Sequence, residues 1–102
     1  MIPKNDREAI SLIIDGLIAR GCVPTMVRDG ASEDHPYVTK EDALDNLTSC
    51  DESVLFVDLP AGAERGSSHI YFVLGNEPKE VACDYGVSVG PYLDPIMDPW
   101  WN

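Results

Sequence analysis

A chain of 102 residues, 44% hydrophobic and 25% charged, is long enough for one domain with its own core and is not composed like a disordered segment. Its 18 acidic and 7 basic residues leave a formal net charge of −11. That balance disfavours nucleic acid and anionic membranes and favours basic protein surfaces, although solubility is the commonest use of such charge.

Residues 5–20 are expected to form the first helix. Asn5 is placed to cap it, with Glu8 three residues on, and Asp6 and Glu8 suit its positive end. Ile10, Ile13, Ile14, Leu17 and Ile18 repeat at the spacing of one buried face, and Gly21 supplies a stop. Leu12, Gly16 and Ala19 share a second face, open to close packing against a neighbour or a second copy of the chain, although a tolerated exposed leucine is the commoner meaning. Residues 23–28 read as a short edge strand weakened by Pro24, and Tyr37-Val38 as a possible returning piece after a polar loop.

Thr39 opens a second helix, 39–49, with Ala43, Leu44 and Leu47 as its apolar face. Strands follow at 54–59, 68–75 and 80–87, the last two joined by Gly75-Asn76-Glu77-Pro78. Pairing Leu74 with Val81 sets Phe72 against Cys83 and Ile70 against Tyr85; pairing Leu59 with Ser68 sets Val57 against Ile70 and Leu55 against Phe72. Both registers gather the apolar residues on one face. Val54, Phe56, Asp58, His69, Tyr71, Val73, Ala82 and Asp84 fall on the other, which is half apolar and half polar. The segment 90–102 is aromatic and rich in proline, and is expected to be a turn or short helix whose Trp100 and Trp101 fold back or stay available to a partner.

The expected architecture is a single α+β domain over residues 1–102. An antiparallel meander of three to five strands carries the N-terminal helix and the short second helix on one face.

Chemistry is hard to find in these residues. Cys22, Cys50 and Cys83 make no CxxC pair or disulfide framework, fit a reducing cytosol, and each read as a small core residue. Asp58 opposite His69, beside Tyr71 and Asp84, could orient an imidazole for acid–base work, but an exposed cross-strand ion pair is the commoner meaning. His35 lies in an acidic loop with Glu33 and Asp34, and neither histidine belongs to a ligand-spaced cluster. Residues 62–66 have glycines but lack the Lys-Ser/Thr of a phosphate-binding loop. The expectation is therefore no enzyme, no catalytic residue, no cofactor and no metal. No apolar run suits a membrane span, and Asp6 and Glu8 stand where a signal peptide carries basic residues.

Tyr71-Phe72-Val73, Gly75-Asn76-Glu77-Pro78, Glu80-Val81 and Asp84-Tyr85 together resemble a pattern of small acidic proteins of bacteriophages and related mobile elements. The match covers about a third of the chain. It implies a phage origin and a bacterial host cytoplasm, and carries no catalytic residues with it. By class, though not by motif, such proteins include anti-CRISPR inhibitors that block a nucleic-acid groove or subunit contact. The leading expectation is a non-enzymatic inhibitor of a bacterial defence or nucleic-acid-handling complex, acting on a host protein with a basic surface, with no direct nucleic-acid or membrane contact and in the manner of a DNA mimic. Its candidate contacts are Asp29, Glu33, Asp34, Glu41, Asp42, Asp45, Asp51, Glu52, Asp58, Tyr71, Asp84, Trp100 and Trp101. The alternatives are an assembly accessory forming a homodimer, and a small-molecule-binding or hydrolytic protein using Asp58 and His69.

Overall fold

Asn5 begins the first helix as its spacing predicts. In the computed structural model, which describes residues 2–60 and 67–101, its side chain accepts from the Glu8 amide at 2.8 Å, while Glu8 Oε1 accepts from the Lys4 amide at 3.1 Å. Helix α1 runs Asp6–Ala19. It ends where the Gly21 amide donates to Ile18 O and the Cys22 amide to Leu17 O, with Gly21 at φ +90°. That paired closure needs a left-handed residue, which glycine supplies. Ala9, Ile10, Ile13, Ile14 and Leu17 are buried. Ile18, expected on the same stripe, is 48% exposed, and Leu12 packs partly against the core.

The chain continues through β1 (Val23–Arg28), β2 (Asp34–Pro36), α2 (Lys40–Leu47), β3 (Glu52–Asp58), β4 (Ser67–Val73), β5 (Ala82–Tyr85) and α3 (Gly90–Met97). The five strands form one antiparallel sheet in the order β2-β1-β3-β4-β5. The α+β architecture, with the N-terminal helix laid on the sheet, is as expected.

Several boundaries and registers differ. β1 is interior rather than an edge, because β2 pairs along its far side. Pro24 is tolerated there because the β1–β3 register shifts between Pro24 and Met26, so the missing N–H falls at an irregularity. The returning piece is Asp34–Pro36, ahead of Tyr37-Val38, and the Tyr37 amide extends the pairing to Thr25 O.

Between β3 and β4 the pairing is Val57 with Ser68 and Leu55 with Ile70, two residues from the expected register. A shift of two keeps every side chain on its face, whereas a shift of one would invert the sheet. Ile70 meets Tyr85 and Tyr71 meets Asp84 as expected, but a bulge then places Ala82 opposite Phe72. Cys83 is the extra residue and is exposed. Residues 80–81 do not belong to the strand. Pro78 opens a 3-10 turn over Pro78–Glu80 and Val81 follows in helical geometry. The glycine-containing loop 62–66 lies outside the described residues.

Leu55, Val57, Ile70, Phe72 and Val27 project from one face of the sheet and are buried under the helices. Thr39 caps α2 through the Asp42 amide at 3.2 Å, and Ala43, Leu44 and Leu47 are buried as their spacing predicts. Gly75, at φ +95°, turns β4 toward β5 and donates its amide to Asp6 Oδ2 at 3.1 Å, tying that turn to the start of α1.

The proline-rich end is a short helix, one of the two forms expected of it. α3 contains Pro95 and buries Leu93 and Met97, and a 3-10 turn over Asp98–Trp101 buries Trp100. Packing holds this helix where propensity would not. α3 lies against α1 at Gly16, where a Cβ would stand 2.6 Å from Ile96 Cδ1. The neighbour that the small-residue face of α1 required is thus this chain's own last helix.

The Tyr85 hydroxyl donates to Asp94 Oδ1 and joins β5 to α3. This bond, helped by partial burial, pushes the Tyr85 phenol up to about 12 from its ordinary 10. Since the folded value is raised, the contribution to stability is complete below pH ~10 and disappears as the pH rises through ~12. Tyr85→Phe should cost about 1–2 kcal/mol at neutral pH. Urea unfolding of wild type and variant should converge at alkaline pH, and a gap unchanged at pH ~12 would contradict this account.

Candidate functional site

Among the described residues, α1, α2 and α3 cover one face of the sheet and no element covers the other. One transverse row crosses all five strands: Asp34 opposite Arg28, Arg28 opposite Val54, Val54 opposite Tyr71, and Tyr71 opposite Asp84. The next row sets Met26 against Phe56 and Phe56 against His69, and Glu52 faces Val73 beyond the first. Val54, Phe56, Tyr71, Val73 and Met26 are half-buried on this face, while Glu52, Asp58 and Asp84 are exposed at its margin. Arg28 is the only Lys or Arg within the five strands. Its guanidinium sits 5.2 Å from the Phe56 ring centroid and bonds Asp34 Oδ1 at 2.7 Å, so its charge is already spoken for. The Arg28 hydrogen bond holds the Asp34 carboxyl below the usual range. The face is therefore apolar and aromatic in the middle and anionic at its rim.

Glu52 is the most consequential carboxylate on it. Its carboxylate lies beside the Tyr71 hydroxyl and raises the Tyr71 phenol, with partial desolvation adding to the effect. Beside it a shallow cleft of about 600 Å³ is lined by Gly30, Cys50, Asp51, Glu52 and the Val73–Asn76 segment. Asp51 and Glu52 both open onto this cleft, which suits a cationic side chain. A smaller depression of about 110 Å³ lies between Arg28, Glu52 and Tyr71.

The remaining candidate residues are dispersed. Glu41 and Asp45 pair with Arg7 on the helical side, at 3.2 and 3.0 Å, and Asp42 is exposed there. Trp100 is in the core at 5% exposure and is no surface anchor. Trp101, 56% exposed, has Lys79 Nζ 4.5 Å from its ring centroid, at the edge of a cleft between β5 and α3. The thirteen candidates do not form one surface. Glu52, Asp58, Tyr71 and Asp84 share the open face, with Asp34 at its β2 edge and Asp51 beside it.

Asp58 and His69 do not meet. Asp58 is opposite Ser67 and His69 opposite Phe56, because the β3–β4 register is offset by two residues. The expected direct Asp–His pairing is replaced by a diagonal relation across the two strands. Cys50 and Cys83 are exposed and only Cys22 is buried, so two of the three cysteines are not core residues.

The β1–β2 turn holds an arrangement that sequence spacing did not disclose. Asp29 Oδ1 accepts from the Ala31 and Glu33 amides at 2.9 and 3.0 Å, and Asp29 Oδ2 lies 2.8 Å from His35 Nε2. The His35 contact and the Glu33 amide hold the Asp29 carboxyl below its usual range. One ligand atom from each of Asp29, Glu33 and His35 lies within 4.8 Å of the others. The hairpin creates this proximity by folding His35 back beside the end of β1, with Val27 opposite His35.

Among the described residues no helix is long and apolar enough to cross a membrane. No family model, curated protein or solved structure matches the chain.

Proposed function

We propose that the protein works by binding rather than by catalysis, and that the open sheet face is the contact surface for a partner protein with a basic patch. The observation that supports this reading is the composition of that face. Val54, Phe56 and Tyr71 form an apolar centre, Glu52, Asp58 and Asp84 rim it, and the one strand cation, Arg28, is neutralised by Asp34. Apolar and aromatic residues give a desolvated anchor, while rim charges set encounter rate and partner choice. A lysine or arginine of the partner entering beside Asp51 and Glu52 would meet two carboxylates. The phage-like pattern of the β4–β5 segment extends the proposal: the partner is a component of a bacterial defence or nucleic-acid-handling complex, and occupancy of its basic patch inhibits it.

Three baits test the surface: wild type and two reversals matched to each other in charge, Glu52→Lys with Asp84→Lys on the sheet face and Glu41→Lys with Asp42→Lys on the helical side. Capture of a bacterial partner at low salt should survive the helical-side reversal and fall at least about tenfold in the sheet-face reversal, with affinity decreasing as salt rises. Equal loss in both reversals would mean that net charge acts without a defined surface. Retention in both would place the contact elsewhere.

A further inference from the structure

We propose that Asp29, Glu33 and His35 form a binding site for a divalent transition-metal ion of the zinc type at the β1–β2 turn. The three side chains offer one imidazole nitrogen and two carboxylate oxygens, mutually within 4.8 Å. That donor set favours zinc and similar ions over magnesium and calcium, which prefer oxygen alone.

The site is half assembled by the backbone. The Ser32 amide donates to Asp29 O at 3.0 Å and the Asp29 amide to Glu33 O at 2.9 Å, with Ser32 at φ +64° closing the turn. Two further amides bind Asp29 Oδ1, so Oδ1 is occupied and Oδ2 is directed at His35 Nε2. A carboxylate oriented through its second oxygen is the usual support of a metal ligand. His35 is held by β2, opposite Val27.

A cation bonded at about 2.1 Å to both Oδ2 and Nε2 needs those atoms roughly 3.0–3.4 Å apart. They now lie 2.8 Å apart across a shared proton. Replacing that proton by the ion asks for a separation of a few tenths of an ångström. Glu33 is exposed and has the rotamer freedom to swing in as third ligand. Three protein ligands leave a fourth position to water. The net charge of −11 raises the local concentration of any cation.

The test is calorimetric titration of Zn²⁺ into the full chain carrying Cys50→Ser and Cys83→Ser, which removes the exposed thiols as competing ligands. One ion should bind per chain. His35→Gln in that background should weaken binding about tenfold or more, and Glu33→Gln by several-fold. Saturating Zn²⁺ should raise the melting temperature of the background and leave that of His35→Gln unchanged. The absence of a saturable one-to-one phase, or equal affinity in His35→Gln, overturns the proposal. If His35→Gln does not fold, Glu33→Gln decides: it neutralises a carboxylate that takes no part in the loop's hydrogen bonds, and undiminished affinity in it refutes the site.

Discussion

Trp100→Ala is expected to destabilise the protein by about 3–5 kcal/mol, close to the whole stability of many domains of this size. Trp100 sits at 5% exposure in the same apolar cluster as Leu93, Val89 and the first helix. Truncation removes the largest buried side chain of the C-terminal segment and leaves a cavity that two prolines and a 3-10 turn are too stiff to close. Trp101→Ala is the control. It gives up an exposed ring and one cation–π contact with Lys79, worth about 0.5–1 kcal/mol. Urea unfolding of the two variants should therefore differ several-fold in effect. Equal and small losses would show that the C-terminal helix is not docked in solution.

The second large effect is at Gly16. Valine there should cost about 2–3 kcal/mol, since its Cβ alone would stand 2.6 Å from Ile96 Cδ1 and 2.7 Å from Cγ1. Alanine has opposing consequences: it gains about 1 kcal/mol of helix propensity and displaces the Ile96 side chain. A double-mutant cycle separates them. In an Ile96→Ala background, Gly16→Ala should be stabilising by about that propensity gain, whereas in the wild-type background the gain should be cancelled or reversed. The same stabilisation in both backgrounds would show that α1 and α3 do not meet at this point.

The elements that were legible in sequence share a property: their signals are local. Asn5 with Glu8, Thr39 with Asp42, Gly21 after the last turn and the alternation of residues 54–57 each fix structure within a few residues. The β3–β4 register was not fixed in this way, because two pairings that differ by two residues bury the same faces. The bulge at Cys83 was hidden for a related reason, since an apolar-looking cysteine fits an unbroken alternation. Ile18 fits the helical stripe by spacing but is 48% exposed at the last turn of α1. The short helix expected at the proline-rich end is present, but it begins at Gly90 and carries Pro95 in its interior, which tertiary packing sustains. The open face was half legible. Val54, Phe56, Tyr71 and Asp84 alternate with buried neighbours, but Arg28 and Met26 join them only because β1 turns out to be an interior strand. Asp29 and His35 required the hairpin to be seen.

The contact between α1 and α3 joins segments near opposite ends of the sequence, whereas β3, β4 and β5 pair with their successive neighbours. Closing the longer loop carries the larger entropic cost, so the strands are expected to pair first and the two helices to come together over a sheet already formed. Interactions made after the rate-limiting step hold the molecule closed without hastening its assembly. The seam at Gly16 and Ile96 thereby sets how long a folded molecule stays folded, and leaves the speed at which it folds to the hairpins.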